Sequence, residues 1–137
     1  FEKKKITLLI ENERNNFMNY FQIIENVLEN IDSNYLKINW DPCNIINEKH
    51  QINAYPDFYK KISSYVGHLH IKDGCIKDGK FQNRMIGEGI IDWKEQIKDL
   101  MKENYKGYFV VEPHFGHRIH STDNHIKNIK KIINEIE

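Results

Sequence analysis

Four short apolar runs in this 137-residue chain each end on a side chain that binds metals or moves protons: ITLLI on Glu11, LKINW on Asp41, VGHL on His70 and YFVV on Glu112. Three carboxylates and one imidazole make a donor set for a hard or borderline divalent cation such as Mn²⁺, Mg²⁺ or Co²⁺. Zn²⁺, which prefers thiolate-rich sites, suits them less. Taken singly, an acid after a strand also serves as a helix cap or a solvated loop residue. In a parallel α/β sheet or barrel, however, the carboxyl ends of all strands lie on one face. Residues 30, 29 and 42 positions apart can therefore converge.

The elements needed to position them are legible. Lys5 to Ile10 reads as a strand buried on both faces. Phe17, Phe21, Ile24, Leu28 and Ile31 recur at helical steps, and Asp32-Ser33-Asn34 stops that helix. Leu36 to Trp40 is a second strand, ended by Asp41-Pro42 because proline lacks the ladder donor. Pro56 suits the first turn of a helix over Asp57 to Tyr65 with Phe58, Ile62 and Tyr65 inward. Val66 to Ile71 is a third strand, and the Asp78-Gly79 pair between Cys75-Ile76-Lys77 and Lys80-Phe81 marks a small hairpin. Asp92 and Glu95 form a capping box for a helix with Trp93, Ile97, Leu100 and Met101 inward. Tyr108 to Val111 is the fourth strand, and Ser121 or Thr122 caps a last helix with Ile126, Ile129, Ile133 and Ile136 on one face. The order βαβαβαβα predicts a parallel α/β layout in a single domain over residues 1–137.

Composition narrows the function. Basic and acidic residues both total 20, so the formal net charge is zero, which gives no signal for nucleic-acid binding. The two cysteines, Cys43 and Cys75, make no disulfide framework or CxxC pair, which points to a reducing cytoplasm. No run approaches the roughly 18 apolar residues of a membrane span, and no signal-peptide stretch follows FEKKK. A soluble protein with no membrane or nucleic-acid partner is expected.

LLIEN, INWDPCN, HLHIKD, MIGEGIIDW and YFVVEPH resemble, in order, the C-terminal half of the xylose-isomerase-like TIM barrels. That group contains sugar phosphate isomerases and epimerases, hydroxypyruvate isomerases, inosose dehydratases and endonuclease-IV-like repair enzymes. The resemblance implies a (β/α)8 barrel of which this chain supplies strands five to eight. It also implies that Glu11, Asp41, His70 and Glu112 hold one metal. Glu11 and Glu112 would in addition be the acid/base pair of a metal-dependent sugar or sugar-phosphate isomerase or epimerase, moving a proton through an enediolate. An inosose-dehydratase-like lyase is the alternative, and a degenerate non-catalytic domain is a third reading. By the same resemblance, Lys72, Arg84 and Asn44 fall near substrate positions, Lys72 fitting a solvated position equally well. His68 shares the side-chain parity of His70 and is read as a pocket residue held by hydrogen bonds. Trp40 fits the pocket wall or the core. His114, His117 and His120 form an H-x2-H-x2-H tract read as a polar rim of the site rather than a zinc site.

The departures also inform. Endonuclease-IV-like enzymes use a three-zinc cluster with a histidine three residues after the sixth-strand Asp and a D-x-H pair before I-G-x-G. Here Asn44 and Gln82-Asn83-Arg84-Met85 stand in those places, which disfavours the nuclease reading. A full barrel has about eight strands and roughly 250 residues. Half of one exposes two parallel edges. The expectation is a piece of a longer chain, active only in the complete barrel, or else a half that self-associates through its open edges. The substrate would be a small sugar or polyol.

Overall fold

The computed structural model describes residues 1–14, 20–46, 54–114 and 118–136, without the side chains of Phe21 and Arg118–His120. Strands β1 (Leu8–Glu11), β2 (Leu36–Trp40), β3 (Val66–Ile71) and β6 (Phe109–Val111) form one parallel sheet in the order β1-β2-β3-β6. Helices α1 (Phe21–Ile31), α4 (Trp93–Lys102) and α5 (Arg118–Asn134) connect or follow the strands, with short α2 (Pro42–Ile45) and α3 (Tyr59–Ile62) between β2 and β3. The hairpin is a separate two-stranded sheet, β4 (Asp73–Lys77) with β5 (Lys80–Arg84). Its turn has positive φ at both Asp78 and Gly79, the pair that matches the twist of the flanking strands.

Side-chain alternation divides the sheet into two faces. Leu36, Ile38, Trp40, Leu69 and Ile71 are buried in one apolar core with Ile24 and Leu28 of α1 and Trp93, Ile97 and Leu100 of α4. Asn39, His68 and His70 point the other way, toward the concave face. Trp40 is fully buried, stacks on Phe58 at 5.3 Å and donates Nε1 to Gln96 at 2.5 Å. It therefore belongs to the core, not the pocket wall, because it lies one residue from Asn39 and so on the opposite face.

Several expectations shift. β1 begins at Leu8 and is not buried on both faces: Leu8 and Leu9 are exposed, as are Phe109 and Val110 of β6. These are the two edge strands, each without a strand neighbour on its outer side among the described residues. Ile31, in the last turn of α1, is exposed, whereas Val27 packs against the core. Phe17 lies outside the described residues. The helix after Pro56 is only α3, preceded by an irregular turn over Ala54–Phe58 and followed by a 3₁₀ turn. Met101 on α4 is 55% exposed, and buried Gln96 takes the inward place as partner of Trp40. Helix α5 starts at Arg118, which puts Ser121 inside it rather than at its cap. Among the described residues, no helix is long and apolar enough to cross a membrane.

The contrast on α4 is measurable by urea unfolding. Ile97→Ala should cost about 2–5 kcal/mol through cavity formation, whereas Met101→Ala should change stability by less than about 0.5 kcal/mol.

Candidate metal centre

The concave face gathers the four strand-tip residues. One ligand atom from each of Glu11, Asp41, His70 and Glu112 lies within 4.8 Å of all the others. β1 and β6 are three strand spacings apart, about 14 Å in a flat sheet. Nevertheless His70 Nδ1 sits 3.1 Å from Glu11 Oε1 and 3.7 Å from Glu112 Oε2. Sheet twist and long glutamate side chains close that gap, as expected of a barrel wall.

Asp41 is held most firmly. Its backbone is clamped by buried Asn12, whose Nδ2 donates to Asp41 O at 2.7 Å and whose Oδ1 accepts from Asp41 N at 2.8 Å. Oδ1 caps α2, accepting from Cys43 N at 2.9 Å and Asn44 N at 3.2 Å, with Pro42 in the first helical turn. The cap reading is met through Oδ1, which leaves Oδ2 as the oxygen that the ligand reading would use. Oδ2 is buried and accepts no hydrogen bond of normal geometry. It faces Lys72 Nζ at 2.8 Å as an ion pair.

Lys72 also reaches Glu112, with Nζ 2.8 Å from Oε2. Its side chain is only 7% exposed, so it is no solvated lysine. Burial alone would lower its pKa, but Asp41 and Glu112 hold it well above the usual lysine range. Burial pushes the Asp41 carboxyl up to about 6, although Lys72 acts to lower it. Burial also works to raise Glu112, but Lys72, His114 and His70 outweigh it and hold that carboxyl below its ordinary value.

Glu11 is steadied by amides: Asn39 Nδ2 lies 3.3 Å from Oε2 and Asn44 Nδ2 lies 3.4 Å from Oε1. Asn39 Nδ2 also lies 3.1 Å from His70 Nε2. Asn44, expected at the substrate, is thus at the site but turned to Glu11. His68 packs its ring edge-on to His70 at 5.8 Å and beside Tyr108 at 6.4 Å; burial and His70 lower its pKa. A cleft of about 260 Å³ beside the ligands is lined by Glu13, Arg14, Asn44, Lys72, Phe81, Asn83 and His114.

Arg84 lies outside that lining. Its guanidinium bonds Asn83 O at 2.9 Å and Gln82 Oε1 at 2.7 Å, while Phe81 and Asn83 of the same strand face the cleft. Alternation along β5 separates them, so the arginine of this cleft is Arg14, stacked over the Phe81 ring at 3.4 Å and donating to Cys43 O at 2.8 Å. Of the histidine tract, His114 lines the cleft with Nε2 3.5 Å from Glu112 Oε1. His117 and the His120 side chain lie outside the described residues.

Asp73 supports the site from behind. Its buried carboxylate accepts from the N–H groups of Gly74, Gly87, Gly89 and Ile91, tying the I-G-E-G loop to the start of β4. A Cβ at Gly89 would overlap that carboxylate, so only glycine permits the approach. Arg14, Asn12 and Asn39 were not singled out in the sequence. Asn39 carried a signal, being a polar residue inside an apolar run two positions before Asp41.

The donor set fits a divalent cation. It offers a buried carboxylate oxygen that faces Lys72 Nζ, an imidazole and two further carboxylates at mutual ligand distance. With His70 neutral, as a ligand must be, the three acids exceed Lys72 by two negative charges. The folded Asp41 carboxyl keeps its proton to about pH 6, whereas its ordinary value is 3.8. Its contribution to the ion-free fold is therefore full below the ordinary value and is lost as pH rises through the folded one. Carboxyl ¹³C NMR should show an Asp41 midpoint near 6 that moves higher in Lys72→Met.

No curated protein matches the chain. Solved structures do. A xylose isomerase domain protein from Planctomyces limnophilus superposes with TM-score 0.74 at 18% identity, over 95% of this chain and 46% of that one. A xylose isomerase-like TIM barrel protein from Mycobacterium smegmatis, in complex with magnesium, gives 0.79 at 16% identity over 98% and 45%. The probable 3-DHS dehydratase AsbF from Bacillus anthracis, involved in petrobactin synthesis, gives 0.69 at 19% over 94% and 50%. The chain spans about half the length of these structures, and its fold is half of a (β/α)8 barrel. The Xylose isomerase-like TIM barrel profile matches residues 1–134. The chain therefore belongs to the xylose isomerase-like TIM barrel family.

Proposed function

We propose that this chain carries the metal-holding half of a divalent-metal-dependent sugar or sugar-phosphate isomerase or epimerase. The observation that carries the reading is the convergence of Glu11 and Glu112, from opposite edges of the sheet, on the same His70 nitrogen with Asp41 beside them. Mn²⁺, Mg²⁺ or Co²⁺ suits the oxygen-rich set, and the magnesium complex of the Mycobacterium smegmatis protein supports a hard cation. Such an ion supplies Lewis acidity toward a carbonyl oxygen.

The chain's own residues supply the proton chemistry. Glu112, kept ionised by Lys72, suits the base that takes a proton from the carbon beside a carbonyl. Glu11 reaches the centre from the opposite edge strand and suits the group that returns a proton on the other side. Asn39 and Asn44 orient Glu11, and the adjoining cleft, with Asn44, Asn83, Lys72 and His114, offers polar groups for hydroxyls of a small sugar or polyol. The exposed apolar residues of β1 and β6 suit closure by four further βα units, in the cytoplasmic setting that two free cysteines favour.

A lyase is the second reading, favoured by the likeness to a probable 3-DHS dehydratase. There the same base would take the proton and the facing acid would protonate a departing hydroxyl.

The test uses the full-length protein in D₂O with Mn²⁺, Mg²⁺ or Co²⁺ and a panel of ketoses, sugar phosphates and inososes, followed by NMR. Isomerase or epimerase activity should exchange deuterium into the carbon beside the carbonyl, whereas a lyase should yield a dehydrated product. Either activity should vanish with chelator and fall about 10²–10⁴-fold in Glu112→Gln. Full turnover and ion affinity in that variant would overturn the assignment.

A further inference from the structure

We propose that Lys72 is a resident cation of the metal centre, competing with a divalent ion for Asp41 and Glu112, so that the four ligands hold a single ion more weakly than they otherwise would. The inference rests on the metal-centre reading and concerns a residue outside the ligand set.

Lys72 follows β3 two positions after His70, which brings its side chain to the same face. Its Nζ is 2.8 Å from Asp41 Oδ2 and 2.8 Å from Glu112 Oε2. Those residues are two of the four whose ligand atoms lie within 4.8 Å of one another. An ion bound by that set must therefore share both carboxylates with the ammonium or displace it. Asp41 gives it little alternative: Oδ1 is committed to the cap of α2, which leaves Oδ2 as the oxygen the ammonium and the ion both need.

Charge points the same way. Three carboxylates against one ammonium leave an excess of two negative charges, which one divalent ion neutralises. A second ion would leave the cluster positive, and the volume next to Asp41 and Glu112 where it would sit already holds Lys72 Nζ. In this half-buried setting the repulsion between an ammonium and a divalent ion a few ångströms apart is only partly screened. A lysine serving only as a substrate contact would need neither buried ion pair.

Mg²⁺ titration calorimetry on the full-length protein, at about pH 8, compares the wild type with Lys72→Met. The wild type should bind one Mg²⁺, and Lys72→Met should bind it at least about tenfold more tightly. Unchanged or weaker binding in a variant with wild-type circular dichroism would overturn the proposal. A second measurement needs no substitution. The ¹⁵Nζ resonance of Lys72 should shift as Mg²⁺ saturates the protein, and a resonance unmoved at saturation contradicts competition. Binding by the wild type without these Lys72 effects removes this inference alone. Failure of both proteins to bind Mg²⁺ removes the metal-centre reading along with it.

Discussion

The structure depends on one electrostatic constraint: the three carboxylates of a cluster whose ligand atoms lie within 4.8 Å of one another repel unless positive charge joins them. Asp41 is the most deeply buried of them, and burial pushes its carboxyl up to about 6 even with an ammonium alongside. Lys72 supplies part of the compensation, and the remaining excess of two negative charges is what a divalent cation would neutralise. Asn12, the α2 cap and the amides of Asn39 and Asn44 keep the acids from relaxing apart. Asp73 does the same for the loop behind them with four backbone N–H groups.

The fold meets that constraint through two periodicities. Alternation along β2 sends Trp40 into the helix-covered core and Asn39 to the concave face, one residue apart. Parallel order places every strand end on the same side, so chain segments far apart in sequence deliver one ligand each. The same order leaves Leu8, Leu9, Phe109 and Val110 on open edges. The half-barrel thus carries a cluster that could hold a metal ion next to a surface suited to further strands.

Much of this was legible in the sequence because it depends on local chemistry. The β-favouring runs ending in Glu11, Asp41, His70 and Glu112 mark strand tips, Asp41-Pro42 marks a strand stop and helix start, and Asp78-Gly79 marks the hairpin turn. What stayed hidden depends on tertiary order. The exposure of β1 and β6 follows from their position at the sheet edges, which no local pattern reveals. On α4 Met101 is exposed, whereas Gln96 is buried and accepts from Trp40 Nε1. Arg84 falls near a substrate position of the family in sequence, but the pleat of β5 turns Asn83 to the cleft and leaves Arg14, from the loop after β1, as its arginine. The depth of Lys72 was equally invisible, since only the folded arrangement reveals the two carboxylates that draw it in.

The most direct measurement is electron paramagnetic resonance of Mn²⁺ titrated into the full-length protein. The four-ligand centre predicts one bound ion per chain and a single directly coordinated ¹⁴N, contributed by His70 and abolished in His70→Gln. Absence of bound Mn²⁺, or a bound ion without that nitrogen coupling, would contradict it.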